Sequence, residues 1–408
     1  MRLIFWLSAL LVVYVYAGYP VLLLVWARLR SLPAPRVAGA TDDLPRVSIV
    51  IAARNEAGRL PARIENLLAL QYPADLRQII VVSDGSTDDT LAVLSRFGME
   101  VNAVAVPACG KAAALNAGVS RATGEILIFA DARQMFAPDA VRELVAPFAD
   151  PAVAGVTGEL LLDCEASEVP GRRAGRERRR MRRDRRARDG RGPGRRDDLD
   201  RRGRIVSTIA DGVGLYWKYE KQLRKLESTV ASTLGATGAI YAVRRSLYEP
   251  LPADTILDDV LTPMRVVLGG SRVVFNERAR AYDRAAADAD TEARRKIRTL
   301  AGNYQILSLE PRLLLPWQNP VWFQYLSHKL GRLAVPYAMM AIFFSSIVLA
   351  AVAGPISFYG AALTGQVMFY LLAGVGAVLE LVARRRDDRV SESTAVAVRA
   401  PHAARESA

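Results

Sequence analysis

"RVSIVIAARNEAGRLPARIENLLALQYPADLRQIIVVSDGSTDDT", residues 46–90, opens and closes on short apolar runs and carries helical spacing between them. "VSIVIAA" and "QIIVV" have strand length. "LPARIENLLAL" places Leu60, Ile64, Leu67 and Leu68 on one helical face. The alternation continues downstream. "DDTLAVLSRF" reads as a helix, "VNAVAV" as a third strand, "KAAALNAGVSRA" as a helix and "EILIFAD" as a fourth strand. A helix follows Pro138, and "AVAGVTGEL" reads as a fifth strand. Strands and helices alternating at these lengths predict an α/β fold, with a mainly parallel sheet covered on both faces. Ligands of such sheets bind beyond the carboxyl ends of the strands.

The polar residues at those ends form an ordered set. Arg54-Asn55-Glu56 follows the first strand, and Asp84 ends the second. Gly110-Lys111, with Asn116 further on, follows the third, and Asp131 ends the fourth with Arg133 two residues later. Each has a plain structural explanation. Asp84-Gly85 makes a good turn, Ser86, Thr87 or Asp88 a good helix cap, and Lys111 a solvated helix start. Four such groups at four successive strand ends point instead to one polar site.

Outside this block the chain is strongly apolar in two places. Residues 3–26 carry no charge and are long enough to cross a hydrocarbon core of ~30 Å as a helix. They run into Arg28 and Arg30 without a small-residue cleavage site, which reads as a retained anchor rather than a signal peptide. No charged residue occurs from Leu333 to Leu379, and Gly354-Pro355 splits that run into spans at 333–353 and 356–383. Three spans allow the basic flanks (Arg28 and Arg30, Lys329 and Arg332, Arg384 to Arg386) to share one side. The positive-inside rule makes that side cytoplasmic, so an integral inner (plasma) membrane protein with a cytoplasmic central domain is expected. Residues 311–330, rich in Trp, Phe and Tyr, suit an interfacial segment, and 387–408 a disordered tail.

The net charge of +13 is concentrated. Residues 171–204 hold 17 Arg against 6 acidic residues and almost nothing apolar, so a disordered insertion is expected there. A solvated loop, a contact with anionic lipid head groups, an RNA-binding arm and a stretch read out of frame all remain open for it. Nucleic acid is disfavoured as a partner because no aromatic residue is interleaved for stacking. Two cysteines, Cys109 and Cys164, supply neither a disulfide framework nor metal-ligand spacing, and suit a reducing compartment.

"VSIVIAARNE", "IIVVSDGSTDDT", "GKAAALNAG" and "ILIFADAR" resemble the N-terminal half of a family 2 glycosyltransferase with the nucleotide-diphosphosugar (GT-A) fold. Beyond the arginine-rich stretch, "GATGAIYAVRR" (235–245) resembles the glycine-rich segment near the acceptor site, with Gly235 and Gly238. "ILDDVLTPMRVVLGGSRVVF" (256–275) resembles the block with the acidic pair. The apolar spans suit the membrane-bound, cellulose-synthase-like members. The resemblance implies a GT-A domain over 45–310 and inverting transfer of a sugar from a nucleotide-diphosphate donor, UDP-linked, to a glycan or lipid-linked acceptor. Single-sugar transfer to a polyprenyl phosphate and an inactive nucleotide- or lipid-binding scaffold are the alternatives. Membrane lipids and export or synthase proteins are the partners implied.

Residue roles follow from the same resemblance. Asp259 is the expected general base, with Asp258 shaping the site. Asn55, Glu56, Asp84, Gly110, Lys111 and Asn116 are expected around the nucleotide sugar. Asp131 is the expected ligand of Mg2+ or Mn2+, which needs only one or two protein carboxylates when phosphates and water complete its shell. Family members end this motif in Asp-x-Asp. Here Arg133 replaces the second acid, either turned away from the metal or adding charge near the phosphates. Processive members carry Gln-x-x-Arg-Trp after the base. Here Arg295, Arg298 and Thr299 stand at those positions, which keeps the arginine and loses the tryptophan that stacks on a sugar chain.

Overall fold

The computed structural model describes residues 1–37, 44–162, 218–283, 289–376 and 378–379. The expected insertion at 171–204, the tail at 387–408 and Cys164 lie outside the described residues. Two compact units are present, Gly18–Leu330 and Met1–Ala17 with Gly331–Ala408.

Among the described residues, eight strands make one sheet: β1 Val47–Ala53, β2 Arg77–Asp84, β3 Asn102–Val106, β4 Ile126–Phe129, β5 Met135–Phe136, β6 Val153–Leu162, β7 Tyr241–Arg244 and β8 Arg272–Asp283. Their order is β3-β2-β1-β4-β7-β6-β8-β5. β1 to β4 pair in parallel, as the strand–helix alternation predicts. The expected fifth strand, β6, does not join β4. β7, from the far side of the arginine-rich stretch, inserts antiparallel between them, and β6 pairs in parallel with β8. The sheet is therefore mixed though mostly parallel.

Alternation along the strands explains the two-sided packing. Val47, Ile49 and Ile51 of β1, with Ile79 and Val81 of β2 and Ile126 and Ile128 of β4, face one core. Helices α1 (Leu60–Leu68) and α4 (Ala140–Val145) cover that side; between them in sequence come α2 (Thr90–Ser95) and α3 (Lys111–Val119). Val50, Ile80, Val82, Leu127 and Phe129 face the other core, against α3 and a later helix, α6 (Asp258–Leu268). Each fully buried aliphatic side chain here stabilises the fold by roughly 1.5–3 kcal/mol. Helix α5 covers 218–230, and α7 is Ala289–Leu309.

Among the described residues, three helices are long and apolar enough to cross a membrane: Arg2–Leu29, Trp322–Ala353 and Phe358–Gly376. The second begins earlier than the charge-free run at Leu333. Residues 322–330, expected as part of a separate interfacial segment, continue into it as helix. His328 is accommodated there because its Nδ1 lies 2.7 Å from Glu227 of α5, a carboxylate that also accepts from the Tyr19 hydroxyl at 3.0 Å.

Candidate active site

Asp84, at the end of β2, is buried. Its Oδ1 accepts the backbone N–H groups of Cys109 (2.7 Å) and Gly110 (3.1 Å). This ties the loop after β3 to the end of β2. Gly110 sits at φ +87°, a conformation that side-chain-bearing residues rarely adopt, and it turns the chain so that Lys111 becomes the first residue of α3.

Lys111 is the hub of the site. Its Nζ lies 3.1 Å from Asp131 Oδ1 and 3.0 Å from Asp258 Oδ1. Asp131 comes two residues after β4 and is 38% exposed, whereas Asp258, in the first turn of α6, is 5% exposed. The helix dipole favours carboxylates at that position. Burial works to lower the Lys111 pKa, but Asp258, Asp131 and Asp259 outweigh it and hold the ammonium above the ordinary lysine value.

Asp259 is only partly covered, and its Oδ2 accepts the Gly238 N–H at 3.0 Å. A Cβ on Gly238 would stand 3.1 Å from that oxygen, so a larger residue would crowd the contact. Gly235 lies against the same turn, with Val260 Cγ2 3.3 Å from the position a Cβ would take. Burial first, and the Asp258 charge next, push the Asp259 carboxyl up to about 6, with Lys111 opposing them. Tyr241 Oη, 3.4 Å from Asp258 Oδ2, closes the buried side.

Other expected residues hold the frame of the site. Asn55, at φ +55°, accepts the Thr87 N–H at 2.8 Å and donates its own N–H to the Ser86 hydroxyl at 3.1 Å, clipping the β1 and β2 ends together. Glu56 pairs with Arg59 at 2.7 Å, and its N–H goes to Thr90. Asn116, expected to fix the loop around the nucleotide sugar, bonds to Leu251 and Tyr248, with Nδ2 donating to Leu251 O and Oδ1 accepting the Leu251 N–H and the Tyr248 hydroxyl. It fixes the 248–251 loop.

Arg133 is turned away. Its guanidinium reaches Asp283 at the end of β8, 2.8 Å distant, and Gln134 donates to the same oxygen at 3.0 Å. Arg298 donates to Ile256 O at 3.3 Å, just before the acidic pair, while Arg295 lies exposed on α7.

The sequence reading missed Arg63. It is fully buried on α1, with its guanidinium 4.1 Å above the Phe136 ring and Nη1 donating to Asn66 Oδ1 at 2.9 Å. Asn66 in turn clamps the backbone of Phe136 through two bonds, bracing the segment after Asp131. Burial lowers the Arg63 pKa to about 9, and the Asp131 charge opposes that fall. The signal was available: a charged residue among Leu60, Ile64 and Leu67 on an otherwise apolar helical face.

Among the described residues, no group of three or more metal-ligating side chains converges. The residues nevertheless fit a divalent ion that takes one protein carboxylate. Asp131 is accessible, and three carboxylates share one lysine, leaving the cluster short of positive charge. A cavity of about 330 Å³ lies at the opposite, amino ends of the strands, lined by Arg46, Asp75, Gln78 and Asn102, and contains none of these residues.

A mixed, mostly parallel sheet with acidic and basic side chains gathered at its carboxyl edge agrees with the GT-A fold that the sequence resemblance implies. Residues 48–197 match the family model described as glycosyl transferase family 2. The chain is similar to a beta-monoglucosyldiacylglycerol synthase of Synechocystis sp., 31% identical over 118 residues, covering 28% of this chain and 25% of that protein. A poly-beta-1,6-N-acetyl-D-glucosamine synthase of Staphylococcus aureus is 30% identical over 121 residues, 29% of each chain. The chain thus spans between a quarter and a third of the length of these relatives. Among solved structures, a mannosyltransferase from Pyrobaculum calidifontis, in complex with GDP-Man and Mn2+, superposes with a TM-score of 0.62 at 21% identity. That match covers 90% of this chain and 92% of the other.

Proposed function

We propose that this chain is a membrane-anchored glycosyltransferase that moves a sugar from a nucleoside-diphosphate donor, UDP-linked, to a hydroxyl of a glycan or lipid-linked acceptor, with inversion. The observation that carries the reading is the convergence on Lys111 of Asp131, from the β4 end, and Asp258, from the acidic pair. It sets the predicted donor side and the predicted acceptor side within one lysine's reach.

In this reading Asp84 and the 109–111 loop hold the nucleotide, and Lys111 meets the diphosphate. Asp131 would hold the divalent ion, Mg2+ or Mn2+, which when bound supplies positive charge to the leaving diphosphate. The Mn2+ named with the mannosyltransferase supports that assignment. Asp259 accepts the proton of the acceptor hydroxyl as its oxygen attacks the anomeric carbon. The carbon–oxygen bond to the diphosphate breaks on the opposite face, and its electron pair leaves with the phosphate. A carboxyl raised to about 6 by burial is a better base near neutral pH than an ordinary aspartate.

The acceptor is proposed to be membrane-borne. α7 packs Gly302 and Ile306 against the domain and turns Ile297, Leu300 and Tyr304 outward, with Arg294 and Lys296 on either side. An outward apolar stripe with basic flanks suits the headgroup zone of a cytoplasmic leaflet. The diacylglycerol in the name of the Synechocystis relative agrees with a lipid acceptor.

The test is nucleoside-diphosphate release by the purified full chain in nanodiscs, over a panel of UDP- and GDP-sugars, with a membrane extract as acceptor. Release with one donor, dependent on Mn2+ and on the extract, is expected. Silence across the panel with nucleotide binding intact would overturn the reading in favour of a scaffold.

A further inference from the structure

α6, the helix that carries the acidic pair, is held by α7 at both of its ends. At the first end, the Gln305 amide clips the segment before Asp258. Its Oε1 accepts the Ile256 N–H at 2.9 Å, and its Nε2 donates to Asp254 O at 2.8 Å. Arg298 donates to Ile256 O at 3.3 Å. Gly302 meets Leu257, the residue before Asp258, so closely that a Cβ there would stand 2.4 Å from Leu257 Cγ. At the other end, Glu310, buried just beyond α7, accepts from Arg265 in the last turn of α6 at 3.3 Å.

The amino-terminal half of α7 is differently placed. Residues 293–301 are exposed without a break. They include Arg294, Arg295, Lys296 and Arg298, and Ile297 and Leu300 are 68% and 47% exposed. Tyr304 continues that apolar stripe, on the face opposite Gly302 and Ile306. A stretch at once basic and apolar complements an anionic lipid surface, where each Lys or Arg contributes about 1 kcal/mol.

We infer that α7 couples an anionic lipid surface to the placement of the acidic pair, with Gln305 and Gly302 as positioning residues. The inference rests on the reading of Asp259 as the base and adds what sets that base in place. α7 is one continuous helix of 21 residues, so seating its basic half on lipid fixes its docked half, and with it the first turn of α6. Proton transfer tolerates little error, since a displacement of ~1 Å can cost about 10²-fold in rate. Nucleotide affinity should be spared, because Asp84 and the 109–110 amides anchor one another.

The test uses the full chain in nanodiscs of zwitterionic phospholipid, with or without an anionic phospholipid, each supplied with the same saturating membrane extract as acceptor. Product formation and UDP affinity are measured in both. The native chain should turn over roughly fivefold or more faster in the anionic discs, with equal UDP affinity. Arg294→Gln combined with Lys296→Gln should lose most of that gain. Gln305→Ala should turn over about ten- to a hundredfold more slowly, with UDP affinity unchanged and no response to anionic lipid. Gly302→Ala should be slowed likewise, and Leu257→Ala in the same chain, which makes room for the added methyl, should restore turnover.

Equal native turnover in the two discs would overturn the inference. So would a Gln305→Ala chain that still responds to anionic lipid, the behaviour expected if that lipid were only the acceptor. Loss of UDP affinity together with turnover in Gln305→Ala would overturn it too, leaving α7 a structural brace. Absence of native turnover in every disc, with UDP bound, would bring down the catalytic reading itself. Should Gln305→Ala not fold, the Arg294 and Lys296 variant, whose docked half is untouched, decides.

Discussion

The β3-β2-β1-β4 half of the sheet and the β7-β6-β8-β5 half contribute to the site in different ways. On the first, side chains at the strand ends are anchored by backbone groups close by in space. Asp84 holds the 109–110 amides, and Asn55 clips the 86–87 turn. On the second, the acidic pair at the start of α6 is set by burial and by long-range partners, Lys111 and Tyr241 on Asp258 and the Gly238 N–H on Asp259. In the proposed reading the first half holds the nucleotide and the second tunes the charge of the base. Binding and proton transfer should therefore be separable by mutation.

The largest effect is expected from Asp259→Asn, which removes the proton acceptor. Transfer should fall by ~10²–10⁴-fold with UDP affinity unchanged, as measured by product formation beside calorimetry. Equal loss of both would erase the distinction between the halves. Asp84→Ala should do the converse. Losing a buried carboxylate that accepts two backbone N–H groups should weaken UDP binding by roughly ten- to a hundredfold, while turnover at saturating donor is less affected.

The pH profile sharpens the comparison. Asp259 works as a base only when ionised, and its carboxyl is raised to about 6. Turnover should rise with pH through that region and level off above it. Asp258→Asn removes one of the two main causes of the rise, so the inflection should move to lower pH. A profile flat from pH 5 to 8 would contradict Asp259 as the base. The smallest effect is expected from Arg133→Ala. Its guanidinium, 39% exposed, is engaged by the buried Asp283, which also accepts from Gln134, so nucleotide and Mn2+ affinity should change by no more than about threefold. Stability should fall by ~1–3 kcal/mol in thermal or denaturant unfolding, the cost of leaving a buried carboxylate short of a donor.

Local patterns made the first half legible. β1 to β4, their helices and the strand-end residues all lie in runs of ten or so residues whose periodicity can be read directly. The second half depends on pairings between distant segments. Nothing in "AVAGVTGEL" says that β7, some eighty residues later, will come between it and β4. Arg133 was ambiguous because its partner, Asp283, lies 150 residues downstream. Lys111 was assigned to phosphate by position, and its bridge to Asp258 was invisible for the same reason. Asn116 lay in a recognisable motif, yet its amide serves a loop 135 residues on. Periodicity reports the elements, whereas charge partners are decided by the tertiary fold.

One measurement tests the central claim most directly. The anomeric proton of the donor sugar would be followed by NMR while the purified chain turns over in nanodiscs. A single displacement with Asp259 as base predicts a product whose first-formed anomeric configuration is opposite to the donor's, and no such product from Asp259→Asn. A product that retains the donor's configuration, or unchanged turnover in Asp259→Asn, would contradict the account.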